Sequence, residues 1–530
     1  MTGLGTLLRL ALRRNRWFYL IWVLGLASVV PITAAAYETI IGPGGAMLDL
    51  LARNPTMRAM LGPPIDLSAA GSFTVWRVGT FAATAAGVMA VLGVIRSTRA
   101  DEEEGRTELL RSTVVDRHAP LTAGVLAGLI ACAALGLLIT VSMIGVGTGV
   151  RGSLAFGLGM ALVAAVFVGV GAVAAQITAS ARGARGIGMA VLGAAYIWRA
   201  VTDAQPDSSA AYAWHWGSPL EWMALVRPYA GERWWVLALP AALTLGLVAG
   251  AFALESRRDH GSGLRAVRPG RDRAAASLLS VGGLAWRLQW GTLVGWTLGL
   301  GIFAVAMGSL SGSFASMLKD VPQLEVIFRR MGQGAEQLID AFFVAMLGIV
   351  SVIIAILAVM LWQRLATEER RGHAELVLST AVPRTRYAVS HLLIAALAPV
   401  ALLALVGALL SAPEAMSRGS AAILGQVVGA ALALAPGGLL ILSLAVALHG
   451  WVPRLDWLVW VVVGWSLFMV WVGTTLGLPT WLTQLTPWAP LPKLPVDPMS
   501  WTPVIAMTLL SVAVMVLGLW GYRRRDLRMT

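Results

Sequence analysis

The chain has 530 residues, 58% hydrophobic and only 13% charged, with a mean hydropathy of +0.76. Soluble globular domains carry roughly 25% charged residues, so composition excludes a soluble fold. The net charge of +13 is almost all arginine, since Lys319 and Lys493 are the only lysines. These arginines flank apolar runs, as the positive-inside pattern places them, so the basic balance needs no nucleic acid.

Residues 1–16 form a Leu/Arg-rich stretch suited to an interfacial helix, and a first span is expected over 17–36. That run ends in Thr33-Ala34-Ala35-Ala36 but is long for a signal-peptide core, so an uncleaved span is expected. A segment at 37–71 follows, rich in proline and with an amphipathic piece near Met47–Leu61. Further spans fall near 72–95, 121–147, 153–178, 187–204 and 235–254, then near 287–308, 341–362, 387–411, 420–448, 456–476 and 503–522. Cys132, the one cysteine, lies inside an apolar run and excludes an intrachain disulfide or a cysteine metal cluster. The six histidines show no ligand spacing, and no metal is expected.

Between the second and third apolar runs stands RSTRADEEEGRTELLRSTVVDR, residues 96–117. It recurs as QRLATEERRGHAELVLSTAVPR, residues 363–384, at an offset of 267. Glu102 falls on Glu369, Gly105 on Gly372, Glu108 on Glu375, Leu109 on Leu376 and Ser112 on Ser379. A polar block repeated at half the chain length implies duplication. The expected fold is an all-α integral membrane protein of twelve transmembrane helices in two parallel six-helix repeats. Residues 1–254 form the first half, 255–285 an arginine-rich linker and 286–530 the second half. With the N-terminus inside, 28 arginines fall on inner segments and ten Lys or Arg on outer ones. Both termini, the linker and both repeated loops are therefore expected in the cytoplasm. Trp-bordered, Pro-broken segments at 214–235 and 481–501 suit short helices at the outer interface.

Gly105 or Gly372 lets one helix end and another begin at an angle. The acidic start and apolar ridge of the second piece suit docking into a groove of a soluble partner. The residues that carry this reading are Asp101, Glu102, Glu103, Gly105, Arg106, Glu108, Leu109 and Ser112, and Glu368, Glu369, Gly372, His373, Glu375, Leu376 and Ser379. The acidic pair, glycine, Glu-Leu step and Ser/Thr ending resemble the coupling helix of ABC-2 type transporter permeases. Two such halves in one chain resemble the actinobacterial exporters of polyketide antibiotics, the tetronasin-type permeases. The resemblance implies a multidrug permease of the bacterial plasma membrane exporting amphipathic or hydrophobic compounds. It also implies an ABC ATPase partner in two copies, carrying ATP and Mg. No cofactor is expected in this chain, because no G-x-x-x-x-G-K-[ST] loop is present. The loops differ in charge, a net of −4 over Asp101–Glu108 against −1 over Glu368–Glu375, so unequal coupling is expected.

Charged residues also fall within or beside spans: Arg77, Arg199, Asp203 and Asp340. Arg199 and Asp203 are four apart and share a helix face. With Trp76 and Trp198 they are candidate path or gate residues, because a charge in a membrane is costly unless paired or wet. An ion-coupled carrier is the alternative function, and a membrane-embedded transferase the next. Glu221, Glu232 and Asp497 are scattered in the outer segments, without the cluster an enzyme would need.

Overall fold

The computed structural model describes residues 2–37, 55–111, 114–205, 213–259, 261–264, 272–320, 335–470 and 480–525. Among the described residues every regular element is helical. The chain divides into two compact units, Met1–Gly270 and Arg271–Thr530. The long helices of the first unit are α1 (Leu4–Ala35), α2 (Ala70–Glu103), α3 (Ala119–Gly145), α4 (Val150–Ile177), α5 (Ala181–Asp203) and α6 (Trp234–Ser256). Those of the second are α7 (Val281–Asp320), α8 (Ala335–Arg370), α9 (Arg384–Arg418), α10 (Ala421–Trp451), α11 (Leu458–Phe468) and α12 (Trp501–Arg524).

Ten of these are long and apolar enough to cross a membrane, against the twelve expected. The two that fall short are the fifth of each unit. α5 has the length but carries Arg182, Arg185, Arg199 and Asp203. α11 has 11 described residues, and residues 471–479 beyond it lie outside the description. The amphipathic piece expected near Met47–Leu61 is described only from Pro55, as a helix Pro55–Leu61.

Periodicity explains how the helices pack. The buried face of α1 runs Leu7, Ala11, Asn15, Tyr19, Val23, Ala27, Val30 and Ala34, at steps of three or four. Its opposite side leaves Trp17, Ile21 and Leu24 exposed, which suits a helix edged by lipid. α4 packs against α2, α3, α5 and α6 and is the most enclosed span of the first unit. Glycines let it approach closely: a Cβ on Gly136 or on Gly157 would collide with the backbone of the other. Between α10 and α12 of the second unit, a Cβ on Gly450 would meet the Gly518 backbone, and one on Gly518 the backbone of Val446 and Ala447. Without a hydrophobic force between helices in lipid, such small-residue contacts supply the packing. Cys132 is buried against neighbouring helices rather than facing outward.

α2 is not uniform. A π-helical turn, Val75–Gly79, carries Trp76 and Arg77. At Thr98 (φ −129°, ψ −87°) the helix breaks before a short piece, Arg99–Glu103. In the second unit α8 runs unbroken to Arg370.

Candidate functional site

The two repeated loops share a backbone device. Gly105 and Gly372 both have φ +72°, a left-handed conformation that glycine adopts without a Cβ penalty. A short helix follows each, Arg106–Arg111 and His373–Leu378. This is the angled second piece expected from sequence.

Side-chain contacts also recur at the 267 offset. Arg258 donates to both carboxylate oxygens of Glu102 at 2.8 and 2.9 Å. Arg525 donates to Glu369 at 2.6 Å. Arg117 donates to the Arg258 carbonyl at 3.2 Å, and Arg384 to the Arg525 carbonyl at 3.1 Å. Asp101 pairs with Arg106 across the glycine at 2.7 Å, and Glu368 with His373 at 3.0 Å. In each unit, then, an acid of the loop grips an arginine that follows the last helix. The sequence reading did not include Arg258 and Arg525, although their spacing of 267 was a usable signal.

These contacts change the role expected of the acids. Asp101 is buried and also held by Arg14 at 2.8 and 2.5 Å. Glu102 further accepts from the Gly261 N–H and pairs with Arg99. Glu103 accepts from the Ala181 N–H at the start of α5. Glu368 is buried and pairs with Arg364, and Glu369 also meets His449. Of the five acids behind the −4 of the first loop, Asp101 and Glu102 are thus neutralised by arginines of their own unit, while Glu103, Glu104 and Glu108 stay exposed. Exposed in the first loop are Glu103, Glu104, Arg106 and Glu108, and in the second Arg370, Arg371, His373, Glu375, Leu376 and Ser379. Leu376 is 73% exposed. The Leu109 side chain and Ser112 lie outside the described residues.

A second cluster forms where α5 ends. Arg199 Nε lies 2.7 Å from Asp203 Oδ2 and 3.2 Å from Glu221 Oε2. His215 Nδ1 faces the other oxygens, 3.1 Å from Asp203 Oδ1 and 3.8 Å from Glu221 Oε1. All four side chains are at most 10% exposed. Arg199 also donates to the Met60 carbonyl and Arg58 to that of Asp203, which ties the Pro55–Leu61 helix to α5. Gly62 (φ +93°) lets the chain pass, because a Cβ there would sit 3.3 Å from the Arg199 guanidinium. Burial and the neighbouring Asp203 push the Glu221 carboxyl up to about 7, against the pull of Arg199 and His215. The hydrogen bond with Asp203 raises His215 despite burial. Asp203, His215 and Glu221 offer donor atoms within 4.8 Å of one another, a spacing a metal ion could use. Arg199 already bridges the two carboxylates, however, so the geometry is that of a salt-bridge quartet.

The sequence reading paired Arg199 with Asp203 correctly but treated Glu221 as scattered and gave His215 no role. The remaining candidates are dispersed. Trp76 is buried and donates to the Gly62 carbonyl at 2.8 Å, beside the quartet. Arg77 is exposed. Trp198 is 43% exposed, lies 5.5 Å from Trp214 and donates to its carbonyl. Asp340 is half-buried near the start of α8. The structure thus joins Arg199, Asp203 and Trp76, and leaves Arg77 and Trp198 apart from them.

A chain of helices this apolar, with polar loops repeated between them, reads as a transporter. The chain is 37% identical over 532 residues to "Multidrug efflux system permease protein Rv1217c" of Mycobacterium tuberculosis, covering 99% of this chain and 96% of the relative. Residues 278–523 match the family described as "Multidrug efflux system permease Rv1217c, C-terminal domain". The chain belongs to this family of multidrug efflux permeases. It is a multi-pass membrane permease.

Proposed function

We propose that the chain is the membrane subunit of an ATP-driven exporter of the ABC-2, tetronasin-like type, moving amphipathic or hydrophobic compounds out of the cell. Two copies of a separate ATPase dock on loops 96–118 and 363–386 and supply ATP and Mg. Both termini and both loops lie in the cytoplasm, and the two units act as a pseudo-dimer. The observation that carries this reading is the duplicated loop. A short helix carrying an exposed glutamate, Glu108 or Glu375, follows a left-handed glycine in each unit, and behind it an acid clasps the arginine after the last helix. A partner pushing on the loop would move that last helix with it. The test is efflux of a fluorescent amphiphile from proteoliposomes holding the chain and its ATPase. ATP-dependent efflux that survives a protonophore supports the proposal, and efflux abolished by the protonophore without ATP dependence overturns it. That second outcome is the signature of a proton-coupled carrier, the reading favoured by the buried acids and histidine of the quartet.

A further inference from the structure

Beside the first loop lies an open cavity of about 380 Å³ whose walls carry four arginines, Arg14, Arg96, Arg106 and Arg185, and one acid, Glu104. They come from separate elements: α1, α2, the Arg106–Arg111 helix and α5. Asp101 below them binds Arg14 and Arg106, and Glu104 binds Arg106. Four guanidinium groups against two carboxylates leave a surplus of two positive charges around one space. Like charges gathered in this way repel unless an anion joins them.

We propose that this cavity binds the phosphate of an anionic phospholipid headgroup. Guanidinium forks suit phosphate oxygens, and basic pockets between membrane helices are suited to anionic headgroups. The arginines are already in position. Asp101 fixes Arg14 with two hydrogen bonds, and Arg96 lies over the Phe18 ring at 5.8 Å. Neither Arg96 nor Arg185 has an ion pair among the described residues, so both are available to a ligand. The surroundings select a lipid over free phosphate. Leu10, Trp17, Ile21 and Leu24 share the Arg14 side of α1 and are 44–69% exposed with their neighbour Leu20. Acyl chains can lie along that stripe while the headgroup sits among the arginines, a gain that inorganic phosphate does not have. The arginine set is not repeated in the second half. At the 267 offset Gln363, His373 and Val452 replace Arg96, Arg106 and Arg185, so one anionic lipid per chain is expected. The proposal is independent of how transport is driven.

The test is native mass spectrometry of the full-length chain after exchange into phosphatidylglycerol or phosphatidylcholine. One phosphatidylglycerol should stay bound per chain, phosphatidylcholine should not, and millimolar inorganic phosphate should not displace the lipid. Arg96→Gln with Arg185→Gln should weaken retention about thirtyfold, the loss expected for two interfacial arginines. Arg96→Lys with Arg185→Lys keeps the charge and should restore most of it, which separates lost binding from misfolding. Equal retention of both lipids, or unchanged retention in the glutamine pair, overturns the proposal. Displacement by inorganic phosphate assigns the cavity to a free phosphate and overturns the lipid assignment.

Discussion

Arg199 stands between two carboxylates with almost no water contact and, with His215, offsets their mutual repulsion. Removing one member of such a buried group strands the others, so Arg199→Met should cost about 3–5 kcal/mol. Adding Glu221→Leu and Asp203→Leu should recover much of that loss; thermal unfolding in detergent measures both. The quartet also sets a pH dependence. Glu221 titrates near 7 instead of near the usual carboxylate value of 4.5, because burial and Asp203 disfavour its charge. A raised carboxyl means stability that is full below pH 4.5 and lost as pH rises through about 7. His215, also raised, adds a loss in the same direction above its usual 6.5. Arg199 and His215 oppose the acids' repulsion, Arg58 opposes the charging of His215, and Tyr196 packs against Arg199. Melting temperature should therefore fall between pH 5 and pH 8 in the wild type, and Glu221→Gln should flatten that slope. An unchanged slope would remove Glu221 as its source. The Arg199–Asp203 pair was legible because it is local to one helix face. His215 and Glu221 were not, because they come from beyond α5 and no residue spacing encodes their placement beside it.

At the scale of the element, the loop is part of a clasp. Glu102 with Arg258 and Glu369 with Arg525 each join a loop to the stretch after a terminal helix. Glu102→Lys or Arg258→Glu alone should each cost about 1.5–3 kcal/mol, the range for hydrogen bonds to charged groups. The exchanged pair, Glu102→Lys with Arg258→Glu, should regain part of the loss, and a double-mutant cycle on unfolding free energy reads the coupling. Additive losses would mean that the two residues act separately. Leu376 is different, since it is exposed and touches little. Leu376→Asp should leave the melting temperature unchanged and abolish both recovery of the ATPase with the chain and ATP-dependent efflux. Normal recovery would sink the docking role. The loop itself was readable from sequence because glycine, acids and ridge repeat in register. The direction of its acids was not, because acids that bind a partner and acids that clasp their own chain look alike until the arginines are placed.

For the whole molecule, hydropathy located ten long apolar helices but overstated how uniform the twelve would be. α5 carries four charges, of which Arg199 and Asp203 belong to the quartet and Arg185 lines the basic cavity, and together with Arg182 they dilute its hydropathy. Whether α5 and α11 cross the membrane fixes the topology, and single cysteines can decide it. Cys132 is buried, so Cys132→Ser gives a silent background. Exposed positions for labelling are Glu108 in the first loop, Trp214 after α5, Leu264 after α6, Leu376 in the second loop and Trp481 after α11. Each helix that crosses changes the side of the next site. From Glu108 to Trp214 the chain passes α3, α4 and α5, an odd number, so these two should label from opposite sides. Leu264 follows one more crossing and returns to the side of Glu108. Leu376 follows two more and stays there, while Trp481 follows α9, α10 and α11 and joins Trp214. From the arginine asymmetry of 28 against ten, the Glu108 side is expected in the cytoplasm. An impermeant maleimide on intact cells should therefore reach cysteines at 214 and 481 only, and those at 108, 264 and 376 should label after permeabilisation. Labelling of 214 together with 108 from one side would show that α5 does not cross, and 481 together with 376 would show the same for α11. Either result refutes the twelve-span topology.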